Sequence, residues 1–446
     1  MTGSPQDEML ELRKRLRCSH EMIVEGLPDH EGWPDDAVSL QAATKHRLRS
    51  IEKQYGAAWK AFIESVIELQ PAARRKFALP NQPESHHLGA NPHQRAAVDQ
   101  GLRPRLWWVN QRAFEQSTCI QVARFKAGWF ADQTIHDLCS GIGGDALSFV
   151  ERGGVHCVER DPLVAAMASE NLRSTVTTNS YCLHCCDLAD YELPQKSWLH
   201  IDPDRRLGTR TSRDPMGFSP GWEEVCRRVE SSEGAAVKLA PATDLPQAPG
   251  VSLDASNTHR MWIEFKGSVR EQDLLWGGVC EVAGVKRGER SAVILQGDGS
   301  FANFQAPYDA GTTVESEHDL KRIEGGCLVD PRAAIRAAGL TAAFAKSNRL
   351  RYLSGPSGFL FASDLPSSVR TLAAVGTVAW IGSCDDRKLR KELRLRNCYP
   401  ETIKVRGNGH DPTRLVKRYR NCGDQPVRLW IGRIGRRAFA AITEIA

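Results

Sequence analysis

Between residues 39 and 78 the apolar positions of SLQAATKHRLRSIEKQYGAAWKAFIESVIELQPAARRKFA recur every three or four residues, the spacing of one helix face. Residues 110–130 (NQRAFEQSTCIQVARFKAGWF) repeat that spacing. The pattern then shortens. TIHDLC (134–139) and VHCVE (155–159) predict strands, and DALSFVER (145–152) and PLVAAMASENLRS (162–174) predict helices, the second with Pro162 in its first turn. Further strands are expected at 180–186, 198–202, 235–239, 261–266 and 291–296. Alternating strand–helix units of this length imply a parallel sheet covered on both faces. LPNQPESHHLGANPHQ (79–94) reads as a connection with His86 and His87 in solvent, and 306–326 reads as a polar connection. DPRAAIRAAGLTAAFAKSNRL (330–350) predicts one more helix, and no internal repeat interrupts the chain.

At 446 residues the chain exceeds one ordinary core. A helical region at 1–109, an α/β domain at 110–310 and a smaller domain at 320–446 are the expected parts. No apolar run approaches the ~18 residues a membrane span needs, and no signal-like segment opens the chain. Thirteen cysteines, an odd number without framework spacing, suit a reducing cytoplasm. The cluster YCLHCCD (181–187) offers Cys182, His184, Cys185 and Cys186 to zinc. Strand alternation sends neighbouring side chains to opposite faces, and no second Cys/His pair sits at the usual distance, so no metal is expected. Charge changes the picture more: residues 387–446 hold 16 Lys/Arg against 5 Asp/Glu, a balance of +11 that leaves −6 on the rest. Such an end suits a polyanionic partner.

The strongest chemical signal is DLCSGIGGDALSFV (137–150). A strand ends, Gly141, Gly143 and Gly144 form a turn, and a helix begins. Glycines there admit a ligand close to the backbone. Glu159, at the end of the second strand, can accept both hydroxyls of a ribose. Gly141 to Ala146 formally matches the dinucleotide fingerprint, which keeps NAD open. S-adenosylmethionine accounts for more residues: Asp137 can meet a cationic amino group that NAD lacks, and Asp187 can accept from the adenine amino group. Asp145, at the helix start, would repel a pyrophosphate. Cys139 and Arg160, beside these residues, complete the expected cofactor wall.

DLCSGIGGDALSF, ERDPLVAAMASENL, IDPDRR and VKLAP (237–241) together resemble bacterial class I methyltransferases that carry a C-terminal THUMP-like domain. The resemblance extends to FEQSTCIQVARFKAGWF (114–130), LVDPRAAIRAAGL (328–340) and IKVRGNGHDPTRLVKRY (403–419), and so spans roughly residues 110–446. It implies an α/β Rossmann-like sheet, an N-terminal helical region and a smaller α+β C-terminal domain. It further implies S-adenosylmethionine as cofactor and RNA as the usual substrate. By likeness to trimethylguanosine synthases, Glu115, Gln116, Thr118 and Arg124 are candidates for the methionine end.

Methyltransferases acting on exocyclic base nitrogens place Asp/Asn-Pro-Pro-aromatic after the fourth strand, where the first residue accepts from the amino group and the ring stacks on the base. Here Asp202-Pro203 keeps half of that device, while Asp204 and Arg205 replace the rest. Asp202, Pro203 and Asp204 are therefore the candidate catalytic residues. Arg205, Arg206 and Lys238 are the candidate clamp for a phosphate or carboxylate. An internal Asp–Arg network is the competing explanation. Three functions stay open: RNA methylation, most simply at a base nitrogen; methylation of a small acidic metabolite or a protein; and a non-catalytic cofactor-binding RNA module. The oligomeric state is not readable.

Overall fold

The computed structural model describes residues 4–24, 36–77, 106–175, 180–207, 210–211, 214–246, 253–309, 312–319, 322–353, 355, 358–407, 409–434 and 437–444. The connection at 79–94, with His86 and His87, lies outside them. The chain divides into two compact units. The first is Met1–His259, Glu271–Gly288 and Leu295–Ser300; the second is Arg260–Arg270, Glu289–Ile294 and Phe301–Ala446.

In the first unit, helices α1 (Pro5–Val24), α2 (Ala37–Tyr55) and α3 (Ala57–Phe77) form the expected helical region. Asp36 caps α2 by accepting from the Ser39 amide at 2.8 Å. The 110–130 stretch resolves into α4 (Gln111–Gln116), capped by Asn110, and α5 (Ile120–Ala127). Strand β1 (Ile135–Leu138) leads through the glycine turn into a short helix α6 (Ala146–Phe149), then β2 (Val155–Val158), α7 (Pro162–Thr175), β3 (Tyr181–His184) and β4 (Trp198–Ile201). Strand β5 is Gly234–Leu239 and β6 is Ser268–Gly277. Parallel pairing gives the order β5-β4-β1-β2-β3, the switch point falling between β1 and β4.

The expected α/β sheet is present, with one departure. Gln272–Gly277 of β6, not anticipated as a strand, runs antiparallel to β5 and pairs Lys238 with Asp273. A cluster including Leu138, Leu199, Ile201, Trp222, Val237 and Leu274 packs one face of this sheet.

Two buried amides tie the helical region to the sheet. Gln70 of α3 donates to the Trp107 carbonyl and accepts from the Trp107 amide, both at 2.8 Å. Asn171 of α7 accepts from the Trp108 amide at 2.8 Å and donates to the carbonyls of Trp108 and Ile142, at 2.9 and 3.2 Å. Asn171 thus fastens both the chain entering α4 and the glycine turn. Helix α1 adds Arg13 and Arg17 to the buried Glu170 carboxylate, at 3.4 and 2.8 Å.

The second unit holds an eight-stranded sheet in the order Ser316–Glu317, Arg351–Leu353, Leu360–Ala362, Cys327–Pro331, Ala373–Ser383, Arg437–Glu444, Gln425–Ile434, Cys398–Val405. The 330–350 helix is two helices, Ala333–Ala337 and Thr341–Ser347, because Gly339 turns the backbone at φ 72°. The polar connection at 306–326 contains the end of a strand, Phe301–Pro307, and the short Ser316–Glu317. No described helix is long and apolar enough to cross a membrane.

Asn171→Ala strands the buried Trp108 amide and carbonyl and should cost about 2–3 kcal/mol. Urea unfolding of the variant against the wild type measures it, and a loss below about 1 kcal/mol would mean that Asn171 does not fasten these segments.

Candidate active site

The carboxyl ends of β1 to β4 place Asp137, Glu159, Asp187 and Asp202 along one edge of the parallel sheet. Ligands in open α/β sheets bind at this edge, beside the switch point.

The glycine turn is shaped by backbone demands. Cys139, Gly141 and Gly143 adopt φ of 64°, 56° and 84°. Such angles favour glycine, so Cys139 is held against its preference. A Cβ at Gly144 would lie 3.1 Å from the Ser117 Cβ, so glycine there lets the α4–α5 connection press on the turn. Glu159 accepts from the Gly141 amide at 3.1 Å and the Asp161 amide at 2.9 Å. Burial, partly offset by those amides, raises its pKa. Each oxygen keeps a further lone pair for a ligand hydroxyl.

Below the turn lies a buried ionic cluster. The Lys126 ammonium, fully buried, reaches Asp145 at 2.7 Å, Glu271 at 2.9 Å and His200 Nε2 at 3.2 Å. His200 Nδ1 meets Asp137 at 2.7 Å. An ammonium only donates, so His200 Nε2 accepts and Nδ1 carries the hydrogen given to Asp137. Burial opposes the Lys126 charge, but Asp145, then Glu271 and Asp273, hold its pKa well above the ordinary value. Burial likewise opposes the Asp145 carboxylate, and Lys126 overrides it, leaving Asp145 below the usual carboxylate range. Burial dominates at Asp137 and raises its pKa; one of its oxygens is buried with no hydrogen-bond partner.

Thr118 connects this cluster to the acceptor edge. Its hydroxyl donates to Asp145 at 2.6 Å and accepts from the Lys238 ammonium at 3.0 Å. Lys238 also donates to Asp202 at 2.6 Å and to the Gln116 carbonyl at 3.2 Å. The Gln116 side chain donates to Asp204 at 2.9 Å, and Arg112 pairs with the other Asp204 oxygen. Asp204 and Ser219 exchange backbone bonds of 2.8 and 2.9 Å, and Arg160 donates to the Ser219 hydroxyl at 3.0 Å. Pro203 is buried between the two acids.

Gln116, Thr118, Asp145, Asp202, Asp204 and Lys238 therefore form one connected network. Both acids of the loop find partners on other elements, Asp202 on Lys238 and Asp204 on Arg112 and Gln116. Arg205 is half-buried and has no ion pair or hydrogen bond among the described residues, while the Arg206 side chain lies outside them. Lys238, expected to face an anion, is committed to Asp202, Thr118 and Gln116.

Other candidates stand apart. Glu115 accepts from Gln111 at 2.7 Å on the surface, and Arg124 pairs with Glu151 at 2.9 Å. Asp187 is exposed and caps a short turn through the Ala189 amide at 3.0 Å. The repulsion expected from Asp145 does not apply, because its charge is turned inward on Lys126. Lys126, His200, Glu271, Asp273 and Arg112 were not anticipated. Lys126 and His200 sit within apolar runs, and the only signal was a charged or polar residue where a core position was due.

Among proteins of known sequence, the chain is similar to two uncharacterized S-adenosylmethionine-dependent methyltransferases from two strains of Mycobacterium tuberculosis. Each is 27% identical over 339 residues, covering 76% of this chain and 87% of the relative. Among solved structures, a crystal structure from Porphyromonas gingivalis named as a "putative methyltransferase" aligns over 100% of both chains, with a TM-score of 0.66 at 15% identity. That likeness establishes the fold. No family model matches the chain.

Asp273 is fully buried, both oxygens lack a hydrogen-bond partner, and burial followed by Glu271 raises its pKa well above the ordinary value. The folded state then binds a proton that the unfolded state releases, so stability falls as pH rises from the ordinary Asp range through the raised value. Asp273→Asn should increase stability at neutral pH and match the wild type near about pH 4. Urea unfolding across that range reads it; equal stability of the two proteins at every pH would contradict the assignment.

Proposed function

We propose that the chain is an S-adenosylmethionine-dependent methyltransferase and that its acceptor is RNA, methylated at a base nitrogen. The observation that carries the reading is the row of carboxylates Asp137, Glu159, Asp187 and Asp202 on the carboxyl edge of β1 to β4, with Asp202 tied through Lys238 and Thr118 to Asp145 beside the glycine turn. The mycobacterial relatives bear the same cofactor in their names.

The residues present fit that cofactor. Space is open above Gly141, where nothing lies within 4 Å of a built Cβ. Asp137 retains an unpartnered buried carboxylate oxygen suited to a cationic ligand. Glu159 holds lone pairs for a ribose diol, and exposed Asp187 for an adenine amino group. A dinucleotide fits less well: helix α6 spans only four residues, too short to offer a pyrophosphate much dipole. S-adenosylmethionine, when bound, supplies a methyl group on a cationic sulfur, open to in-line displacement by a nucleophile.

The chain's own residues position that nucleophile. Asp202 accepts a hydrogen bond from the acceptor amine and takes up the proton released during transfer. Lys238 fixes the Asp202 carboxylate and is a positioning residue. Asp204, held by Arg112 and Gln116, shapes the loop floor around Pro203. Arg205 is the available cation for a phosphate of the acceptor.

RNA is supported by the second unit. Arg387, Lys388, Lys391 and Arg394 are exposed on the helix Asp386–Leu395, and Arg414, Lys417 and Arg418 on Pro412–Tyr419. The expected carboxyl-terminal signatures also meet there: Asp330 receives Arg336 at 2.8 Å, Arg406 at 2.9 Å and Lys404 at 3.3 Å, an excess of positive charge. A THUMP-like role for this unit belongs to the same proposal. Arg205, without an ion pair among the described residues, suits the carboxylate of a small acidic metabolite or a protein equally well, and that is the second reading.

Labelled methyl donor offered to RNA, protein and metabolite fractions distinguishes these. Label is expected in RNA, with Asp202→Ala slowing transfer about 100-fold or more while cofactor affinity changes little. Label in protein or metabolites instead would overturn the RNA assignment, and unchanged transfer by Asp202→Ala would overturn the role of that carboxylate.

A further inference from the structure

The opposite face of the same sheet carries a group that the methyl-transfer reading does not use. His136 of β1, His156 of β2 and His184 of β3 form a stack, with ring centroids 4.9 Å and 5.4 Å apart and planes 14° and 16° from parallel. Side chains alternate along a strand, so His136 faces away from its neighbour Asp137 and from the Lys126 cluster. Cys182 and His184 are two apart and share a face. The register sets Cys182 directly beside His156. That juxtaposition needs the neighbouring strand β2, which is why the segment YCLHCCD alone argued against a metal.

The donor atoms are already close. His156 Nδ1 and His184 Nε2 are 3.1 Å apart, and the Cys182 sulfur lies with them inside a 4.8 Å group. Two nitrogens on one tetrahedral ion with bonds of about 2.0–2.1 Å stand about 3.3 Å apart, so the imidazole pair needs almost no movement. The thiol must close by about 1 Å, and Cys182 is exposed and free of packing that would stop it. His136 Nδ1 is engaged by the Tyr191 hydroxyl at 2.8 Å, which steadies the stack from its far end. His136, His156, His184 and Tyr191 line a cleft of about 520 Å³, which gives an ion a way in.

We infer that His156, Cys182 and His184 form a binding site for a divalent ion of the zinc class, separate from the methyl-transfer site. A nitrogen–nitrogen–sulfur set without carboxylates suits Zn²⁺ or Co²⁺ and not Mg²⁺ or Ca²⁺. Binding breaks the His–His hydrogen bond, whose proton passes through solvent to the other nitrogen of the ring that carried it, forms two metal–nitrogen bonds and one metal–sulfur bond, and releases the Cys182 thiol proton to solvent. Three protein ligands leave the fourth position to water or to an incoming ligand.

Titration of the full chain with Co²⁺, followed by displacement with Zn²⁺, tests this. The expected result is saturation at one equivalent, with a thiolate-to-cobalt charge-transfer band in the near ultraviolet. Cys182→Ser should abolish that band, and His184→Ala should weaken binding about 10-fold or more. The exposed Cys182→Ser substitution leaves the core untouched, so loss of the band there cannot be ascribed to unfolding. Absence of saturable binding would overturn the site. A charge-transfer band retained in Cys182→Ser, or undiminished affinity in folded His184→Ala, would place any bound metal on other residues and overturn it equally.

Discussion

The first unit is organised around one ammonium group. Lys126 is buried without solvent and touches Asp145, Glu271 and His200 at once. Each partner belongs to a different element: Asp145 begins helix α6, Glu271 lies on β6 and His200 on β4. A charge so placed is costly to desolvate, and removing one member of such a group typically costs about 3–5 kcal/mol because the others are left unpaired. The glycine turn, the antiparallel strand and the fourth parallel strand are thus registered against a common point. Asp137 joins through His200, so its carboxylate is tied to Lys126 as well.

A chain of bonds runs from that point to the acceptor edge. Asp145 binds Thr118, Thr118 binds Lys238, and Lys238 binds Asp202. The end of α4 and the α4–α5 connection, which supply Gln116 and Thr118, therefore sit between the two halves of the site and touch both. They can do so because Gly144 has no side chain and because Asn171 and Gln70 fasten the chain that precedes them. The geometry of the reacting edge depends on residues that no ligand need touch. That dependence gives the helical region a structural part in the chemistry.

Much of this was legible in the sequence. Strands β1 to β5 and helix α7 appear where hydrophobic spacing put them, because a parallel sheet buried on both faces leaves short, uniformly apolar runs. The glycine turn, Glu159 and Asp202 followed from position alone. What was not legible depended on pairing between distant segments. Strand β6 carries Glu271, Gln272 and Asp273 in its middle, and their polarity hid a buried strand. Lys126 drew no notice within its apolar run, since only the fold brings two carboxylates and a histidine to it. The histidine stack needed the register of three strands. Asp204 was readable as a charged loop residue, but its partner Arg112 lies 92 positions away.

The central proposal is that the glycine edge of β1 to β3 receives a sulfonium nucleoside. Calorimetric titration of the full chain with S-adenosylmethionine, and separately with NAD, addresses that directly. One equivalent of S-adenosylmethionine per chain, with no saturable heat from NAD, is the predicted result. Binding of NAD, with none of S-adenosylmethionine, would contradict it.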